Sequence, residues 1–190
     1  MIVRLLERED IPYLMKISMA ELGSDYLDVS DFEDALEGTW SFCYVGEYDG
    51  KPSGFIIGNI FGPEMVDEIL HMPDGKFRDE ALSYSKVGYY ASEAIDDSVK
   101  GKGLGMKLIL KCRERFEESG VEMACAMAWK SVTGKVNIDG ILRKIGLEPE
   151  VEFLGYWDDP RAFPNGHDCP VCGNPCKCSA VYYTKKYVSP

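Results

Sequence analysis

Several features that define other protein classes are missing from this sequence. No apolar run is long enough to cross a membrane, and Met1 is not followed by a signal-peptide pattern, so we expect a cytoplasmic protein with no membrane partner. Basic residues are too few to attract nucleic acid, since 21 Lys and Arg stand against 32 Asp and Glu and the net charge is −11. The same acidity favours a cationic partner such as an amine. Repeats and low-complexity tracts are absent, and 190 residues predict a single domain, 1–190.

The seven cysteines fall into two groups. Three lie singly among apolar residues, where cysteine is usually a small buried hydrophobe: Cys43, Cys112 and Cys125. The other four crowd into ten residues rich in Gly and Pro: Cys169, Cys172, Cys176 and Cys178. Without a secretory signal, this crowding predicts a metal site, and four thiolates favour a closed, structural Zn²⁺ site. An iron–sulfur cluster and disulfides are the alternatives, and His167 is near enough in sequence to replace one thiolate.

A glycine-rich loop stands between a predicted strand, 87–95, and a predicted helix. It reads Lys100-Gly101-Lys102-Gly103-Leu104-Gly105, and the helix after it has one apolar face of Leu104, Leu108, Ile109, Cys112 and Phe116. Such glycines let the backbone turn its N–H groups toward an anion, and the helix N-terminus adds partial positive charge. The pattern predicts a pyrophosphate cradle, with a simple connecting turn as the alternative. It matches neither a Walker loop nor a dinucleotide fingerprint.

Together with residues 94–99, this loop resembles the acyl-CoA signature of the GNAT superfamily of N-acetyltransferases. The family pattern is Arg or Gln, two residues, Gly, one residue, then Gly or Ala. Lys100, Gly103 and Gly105 occupy these positions, so a lysine replaces the usual first residue. The resemblance implies a mixed α+β GNAT fold, in which a mostly antiparallel sheet is flanked by helices and its fourth and fifth strands splay apart. It also implies acetyl-CoA as cosubstrate and an amine as acceptor.

The remaining pattern is typical of this fold apart from two insertions. Hydrophobic periodicity predicts strands at 3–6, 42–48, 54–60, 87–95, 121–129, 151–157 and 180–186. Further helices are predicted after an Asp10 cap, at a capping box of Ser30 and Glu33, and around 138–145. Residues 63–83 replace the family's usual short turn, which indicates a lid or partner surface, or else an insertion without a role. Residues 165–179 form a zinc-knuckle insertion between the last two strands, where a protein partner could bind.

The resemblance also implies which residues hold the cosubstrate. Pantetheine would lie against the backbone of Ala94 and Ile95, and the pyrophosphate would lie on the amides of Lys100, Gly101, Lys102, Gly103, Leu104 and Gly105. Asn137 would cap the next helix or contact the cofactor arm.

Glu93 is the predicted catalytic residue, because it is the only carboxylate within 88–95. A two-residue period places it on one strand face with Ala91, Ile95 and Tyr89, where apolar neighbours would raise its pKa and suit it to act as the general base. The alternative is a Glu93 that pairs with a cation or faces solvent. Leu142 stands where the family commonly has the tyrosine that protonates the leaving thiolate.

The sequence therefore predicts an N-acyltransferase that moves an acetyl group from acetyl-CoA to an amine of a small molecule or protein. The alternative is a non-catalytic module of the same fold that binds CoA or a partner, and Leu142 is its best support. Without the tyrosine, solvent or a hydroxyl of Ser131 or Thr133 would have to protonate the thiolate.

Overall fold

The computed structural model describes residues 1–164 and 166–188. The first position of the predicted knuckle segment, Asn165, and the last two positions of the predicted domain range, Ser189 and Pro190, lie outside the described residues.

One seven-stranded sheet, in the order β1-β2-β3-β4-β5-β7-β6, runs through the molecule. Neighbouring strands are antiparallel except for β4 and β5, which are parallel. The strands are β1 (Ile2–Leu5), β2 (Ser41–Tyr48), β3 (Lys51–Phe61), β4 (Val87–Ile95), β5 (Met123–Lys130), β6 (Glu148–Phe153) and β7 (Ser179–Lys186). The predicted α+β class with a mostly antiparallel sheet is confirmed.

Within the described residues, six α-helices cover the two faces of this sheet. They are α1 (Ile11–Glu21), α2 (Val29–Glu37), α3 (Val66–Leu70), α4 (Lys76–Leu82), α5 (Leu104–Glu118) and α6 (Asp139–Lys144). The apolar residues of α5 and α6 form one core on the first face, together with Ala124, Ala126 and Ala128 of β5. On the second face, α1 and α2 pack over β2 and β3, and α3 and α4 pack over the alternate residues of β5 and β7.

The predicted apolar face of α5 is buried as the periodicity indicates. Leu104, Leu108, Ile109, Cys112 and Phe116 are each no more than 1% exposed. At about 1.5–3 kcal/mol for each large apolar side chain, this burial is enough to hold the helix, and therefore the loop before it, against the sheet.

Both predicted caps on the second face are wrong. The side chain of Asp10 makes no cap for α1, because it accepts hydrogen bonds from Arg4 at 2.6 and 2.8 Å and from the Glu7 backbone N–H. Helix α2 begins earlier than predicted, and its capping box pairs Asp28 with Asp31 instead of Ser30 with Glu33. At α2, an acidic side chain nearer the true helix start bonds the free N–H groups, whereas at α1 the Asp10 carboxylate is held by Arg4 and the Glu7 N–H.

Strands β4 and β5 separate after a short paired segment. Three residue pairs join them, from Val87 opposite Met123 to Tyr89 opposite Cys125, whereas β5 stays paired with β7 along its whole length. Beyond Tyr89, the edge of β4 that faces β5 has no strand partner. The predicted splay is therefore present, and it opens a gap through the sheet.

A β-bulge in β4 changes which side chains share a face. Ile57 of β3 lies opposite Ser92, and the next residue, Gly58, lies opposite Tyr90, so Ala91 is the extra residue. The bulge shifts the alternation by one position. Glu93 then lies with Tyr90 and Ile95 on the α5 face, whereas Tyr89 and Ala91 pack on the opposite face. The predicted common face of Glu93, Ala91 and Tyr89 is wrong for this reason.

Candidate active site at the strand splay

A cavity of about 590 Å³ occupies the gap between β4 and β5. We call it the first cavity. On the α5 face its walls come from the glycine loop, the start of α5 and the residues Ile138 and Ile141 of the α6 region. On the other face its walls come from the end of α1 and from Trp157 and His167. The cavity therefore connects the two faces of the sheet, which is the arrangement that two reactants entering from opposite sides require.

The glycine loop presents free backbone donors to the first cavity. Gly101 and Gly103 have φ values of +77° and +87°, in the left-handed region that favours glycine. Among the described residues, the N–H groups of Gly101, Gly103, Leu104 and Gly105 have no backbone acceptor. The first helical bond of α5 runs from the Lys107 N–H to the Gly103 carbonyl. These free donors and the positive end of the 15-residue helix α5 could hold an anion.

The backbone of Gly101 and Gly103 is exposed. A Cβ added at Gly101 or Gly103 would have no atom within 4 Å. At Gly105, in contrast, a Cβ would lie 2.9 Å from Oε1 of Glu93, so glycine there gives the carboxyl group its room.

The two lysines of the loop behave differently. Lys100 lines the first cavity, but its ammonium pairs with Glu21 of α1 and lies 3.3 Å from Asp97, which ties the loop to α1. Lys102 does not line the cavity, and its Nζ lies 4.3 Å from the centroid of the Tyr48 ring. The other predicted cofactor-binding residues do line it: Ala94, Ile95, Gly101, Gly103, Leu104, Gly105 and Asn137.

Glu93 is half-buried in the wall of the first cavity. Its Oε1 atom is buried and has no hydrogen-bond partner among the described residues. Burial without a partner penalises the charged form and raises the pKa of Glu93 to about 8. The group is therefore mostly protonated at neutral pH, and it titrates close to the range in which a group can both give and take a proton.

Asn137, which precedes α6, and Leu142, which lies within it, are in different surroundings. Asn137 lies at the exposed mouth of the cavity, and α6 has no side-chain cap. Leu142, at the position of the family's tyrosine, is fully buried in the core beneath α6. Tyr183 lies nearby on β7, but its hydroxyl donates to Asp139 at 2.6 Å.

The wall on the second face is aromatic. Tyr26, Trp157, Phe163 and His167 pack together with ring centroids 5.3–6.5 Å apart. His167 Nε2 donates to the Leu22 carbonyl at 2.7 Å, so this side chain faces the end of α1 and not the cysteines. Tyr26 follows α1 and meets residues more than 130 positions later, a contact for which no local sequence signal exists.

A second cavity, of about 260 Å³, adjoins the first on this face. The two share Tyr26, Ala91, Ser92 and Trp157 as wall residues. Polar side chains from three elements line it: Asp31 of α2, Asn59 of β3 and Glu68 of α3. Burial raises the pKa of Asp31 despite a hydrogen bond from the Asp28 N–H.

The four clustered cysteines converge on one point beside this wall. All four sulfur atoms lie within 4.8 Å of one another, and three pairs lie 3.7–3.8 Å apart. Sulfur atoms at the corners of a tetrahedron with Zn–S bonds of about 2.3 Å lie about 3.8 Å apart. The Lys177 N–H also donates to the Cys172 sulfur at 3.2 Å. The donor set and its spacing therefore fit one tetrahedral ion.

Among residues 1–164 and 166–188, no helix is both long and apolar enough to span a bilayer.

The fold is similar to that of N-acetyltransferases of known structure. The model of the Acetyltransferase (GNAT) family matches residues 8–131, and the chain belongs to this family, whose members generally use acetyl-CoA. No sequence among curated proteins matches the chain significantly.

Solved structures of enzymes from several organisms share the fold at low sequence identity. Arabidopsis thaliana NAA60, in complex with a bisubstrate analogue, aligns with a TM-score of 0.66 and 12% identity over 97% of each chain. An N-acetyltransferase from Staphylococcus aureus Mu50 aligns with a TM-score of 0.65 and 14% identity over 97% of each chain. Drosophila melanogaster polyamine N acetyltransferase aligns with a TM-score of 0.62 and 14% identity, over 97% of this chain and 99% of its own.

Proposed function

We propose that this protein binds acetyl-CoA in the first cavity and transfers its acetyl group to an amine that enters from the second face. The free N–H groups of Gly101, Gly103, Leu104 and Gly105 carry the proposal, because four donors without a backbone acceptor at one helix N-terminus suit a pyrophosphate. The unpaired edge of β4 beyond Tyr89 would bind the pantetheine arm as a neighbouring strand would. The single domain of 1–190 remains a prediction.

The chemistry requires a neutral amine and a proton for the departing thiolate. The amine nitrogen attacks the thioester carbon, the C–S bond breaks, and the amine gives up its proton through water. The sequence pattern favours Glu93 as the base. The carboxyl group, however, lies on the α5 and α6 face, away from the acceptor wall, and is mostly protonated at pH 7. We therefore assign Glu93 the role of general acid, in which it protonates the thiolate in place of the tyrosine that Leu142 replaces.

The cysteine cluster has a structural part in this proposal. Four thiolates fill a tetrahedral Zn²⁺ shell and leave no open position for a substrate, so the ion would brace the loop between β6 and β7. That loop carries Trp157, whose indole N–H donates to the Ser179 carbonyl at 2.8 Å, just beyond Cys178. The ion would thereby hold the acceptor wall in place.

Calorimetric titration of acetyl-CoA into the wild type and a Gly103→Glu variant tests the donor site. The new carboxylate would lie beside the free N–H groups and repel the phosphates. We expect the variant to bind acetyl-CoA at least 100-fold more weakly, because the loss of charge-assisted contacts costs roughly 3 kcal/mol.

Gly120→Glu is the matched control, because Gly120 has a comparable φ of +69° and open space but lies at the other end of α5. We expect it to bind acetyl-CoA as the wild type does. Equal binding by all three proteins would refute the cradle. Binding without any turnover of amines would favour the non-catalytic alternative.

A further inference from the structure

The second cavity has features that a pocket for an uncharged substrate would not need. Carboxylates approach it from two separate elements, Asp31 from α2 and Glu68 from α3. No Lys or Arg occurs among the described residues that line it. His71 also lines it, and burial and the Arg161 guanidinium lower the pKa of this imidazole. Arg161 donates to the His71 carbonyl at 3.2 Å and is paired with Asp159 at 2.6 Å. The ionisable side chains of the lining therefore include two carboxyl groups and, among the described residues, no Lys or Arg.

An amide side chain also lines the cavity, that of Asn59, a residue that is 5% exposed. Its strand position places it on the second face with Phe55 and Ile57, which pack under α1 and α2. Its carbonyl oxygen is an acceptor that suits an ammonium group.

The segment 63–83 builds one wall of this cavity and is firmly packed. Val66, Leu70 and Met72 are buried against the second face, and the Tyr156 hydroxyl donates to the Leu70 carbonyl at 2.9 Å. Helix α3 therefore presents Glu68 from a fixed position. The segment 63–83 is therefore packed against the sheet and forms part of the cavity wall.

From this arrangement we infer that the second cavity binds a second positive charge on the acceptor, so that the protein acetylates small amines that carry another ammonium group. The inference rests on the proposed function. The amine to be acetylated would lie at the shared wall of Tyr26, Ser92 and Trp157, and the distal ammonium would lie between Asp31 and Glu68 with Asn59 as a neutral acceptor. At about 260 Å³ the cavity is smaller than the roughly 300–1,000 Å³ of sites for drug-sized ligands, which favours a short chain.

The test compares 1,4-diaminobutane with n-butylamine, which have the same carbon chain and differ in the second ammonium group. Acetylated product is measured by mass spectrometry, and kcat/KM is determined for each amine. We expect the wild type to prefer the diamine at least tenfold. Glu68→Gln should lower kcat/KM for the diamine about fivefold, the effect of one partly exposed charge pair, and leave n-butylamine unchanged.

Two further variants separate charge from structure. Asp31→Asn keeps an oxygen for the Asp28 N–H and should reduce diamine use by a similar factor. Glu64→Gln makes the same charge change in the same segment but does not line the cavity, so we expect it to behave as the wild type does.

Each outcome decides something distinct. A peptide with a basic second residue, acetylated with the same dependence on Glu68, would support the charge pocket and identify a peptide as the source of the charge. Equal use of diamine and monoamine, or a Glu68→Gln effect on both, would overturn the inference and leave the proposed function standing. Acetylation only of amines without a second charge would also overturn the inference and leave the proposed function standing. A wild type that binds no acetyl-CoA would overturn the proposed function itself.

Discussion

The buried carboxyl group of Glu93 makes the stability of this protein depend on pH in a calculable way. In the folded protein its pKa is about 8, against an ordinary value of 4.5, because burial penalises the carboxylate and no cation offsets the cost. The perturbation that isolates this effect is Glu93→Gln, which keeps the size of the side chain and removes its titration.

The sign follows from proton binding. Between about pH 4.5 and pH 8 the folded state keeps the proton on Glu93 while the unfolded state has released it, so the free energy of unfolding falls as pH rises. At about 1.4 kcal/mol per pH unit, the loss approaches about 5 kcal/mol and is complete above pH 8. This value is an upper limit, because relaxation of the cavity would lower the folded pKa. Glu93→Gln has no such loss, so it should be the more stable protein above pH 8 by a few kcal/mol.

The assay is urea unfolding of wild type and variant at about pH 5, pH 6.5 and pH 8.5, with the free energy in water obtained by linear extrapolation. Other titrating groups contribute equally to both proteins and cancel in the difference. Glu118→Gln, an exposed position at the end of α5, is the control for a change of charge alone. If the difference in the free energy of unfolding between wild type and Glu93→Gln stays constant with pH, the argument that Glu93 is buried without a partner is refuted.

Two further predictions concern activity and the metal. If Glu93 protonates the thiolate, kcat of the wild type falls as pH rises through about 8. Glu93→Gln should lose most of the activity, and its kcat should no longer fall over this pH range. A wild-type kcat that rises through the same range would identify Glu93 as a base instead. Removing the ion with a chelator should lower Tm by about 5 °C or more. Cys169→Ser should lower Tm by a similar amount, and the chelator should not lower the Tm of this variant further. Metal analysis of the purified protein that finds no zinc would contradict this assignment.

Local patterns predicted most of the elements because the relevant interactions are close in sequence. The apolar face of α5, the positive φ at Gly103 and the spacing of the cysteines each follow from preferences of a few neighbouring residues. Element ends were less accurate, since Asp28 outcompeted Ser30 for the same helix start. The predicted strand 151–157 likewise ends at Phe153, and a 3₁₀ turn at Tyr156–Asp158 follows it.

The face that Glu93 occupies was beyond the reach of sequence periodicity. Alternation along a strand holds only while the pairing with β3 stays regular, and the bulge at Ala91 is a property of that pairing. No residue type in β4 predicts the bulge. One inserted residue moved the carboxyl group from the acceptor side to the side of α5 and α6, and with it the proton-transfer role that we assign.

By itself, then, the sequence determined the strands and helices, the glycine loop and the candidate metal ligands, because backbone propensity and ligand spacing act over short distances. The tertiary structure alone decided the site. Asp31, Asn59 and Glu68 come from α2, β3 and α3, and only the packing of these elements over one face of the sheet brings them to a common cavity. Such a site depends on strand register and helix packing, which are set by contacts between residues far apart in the chain.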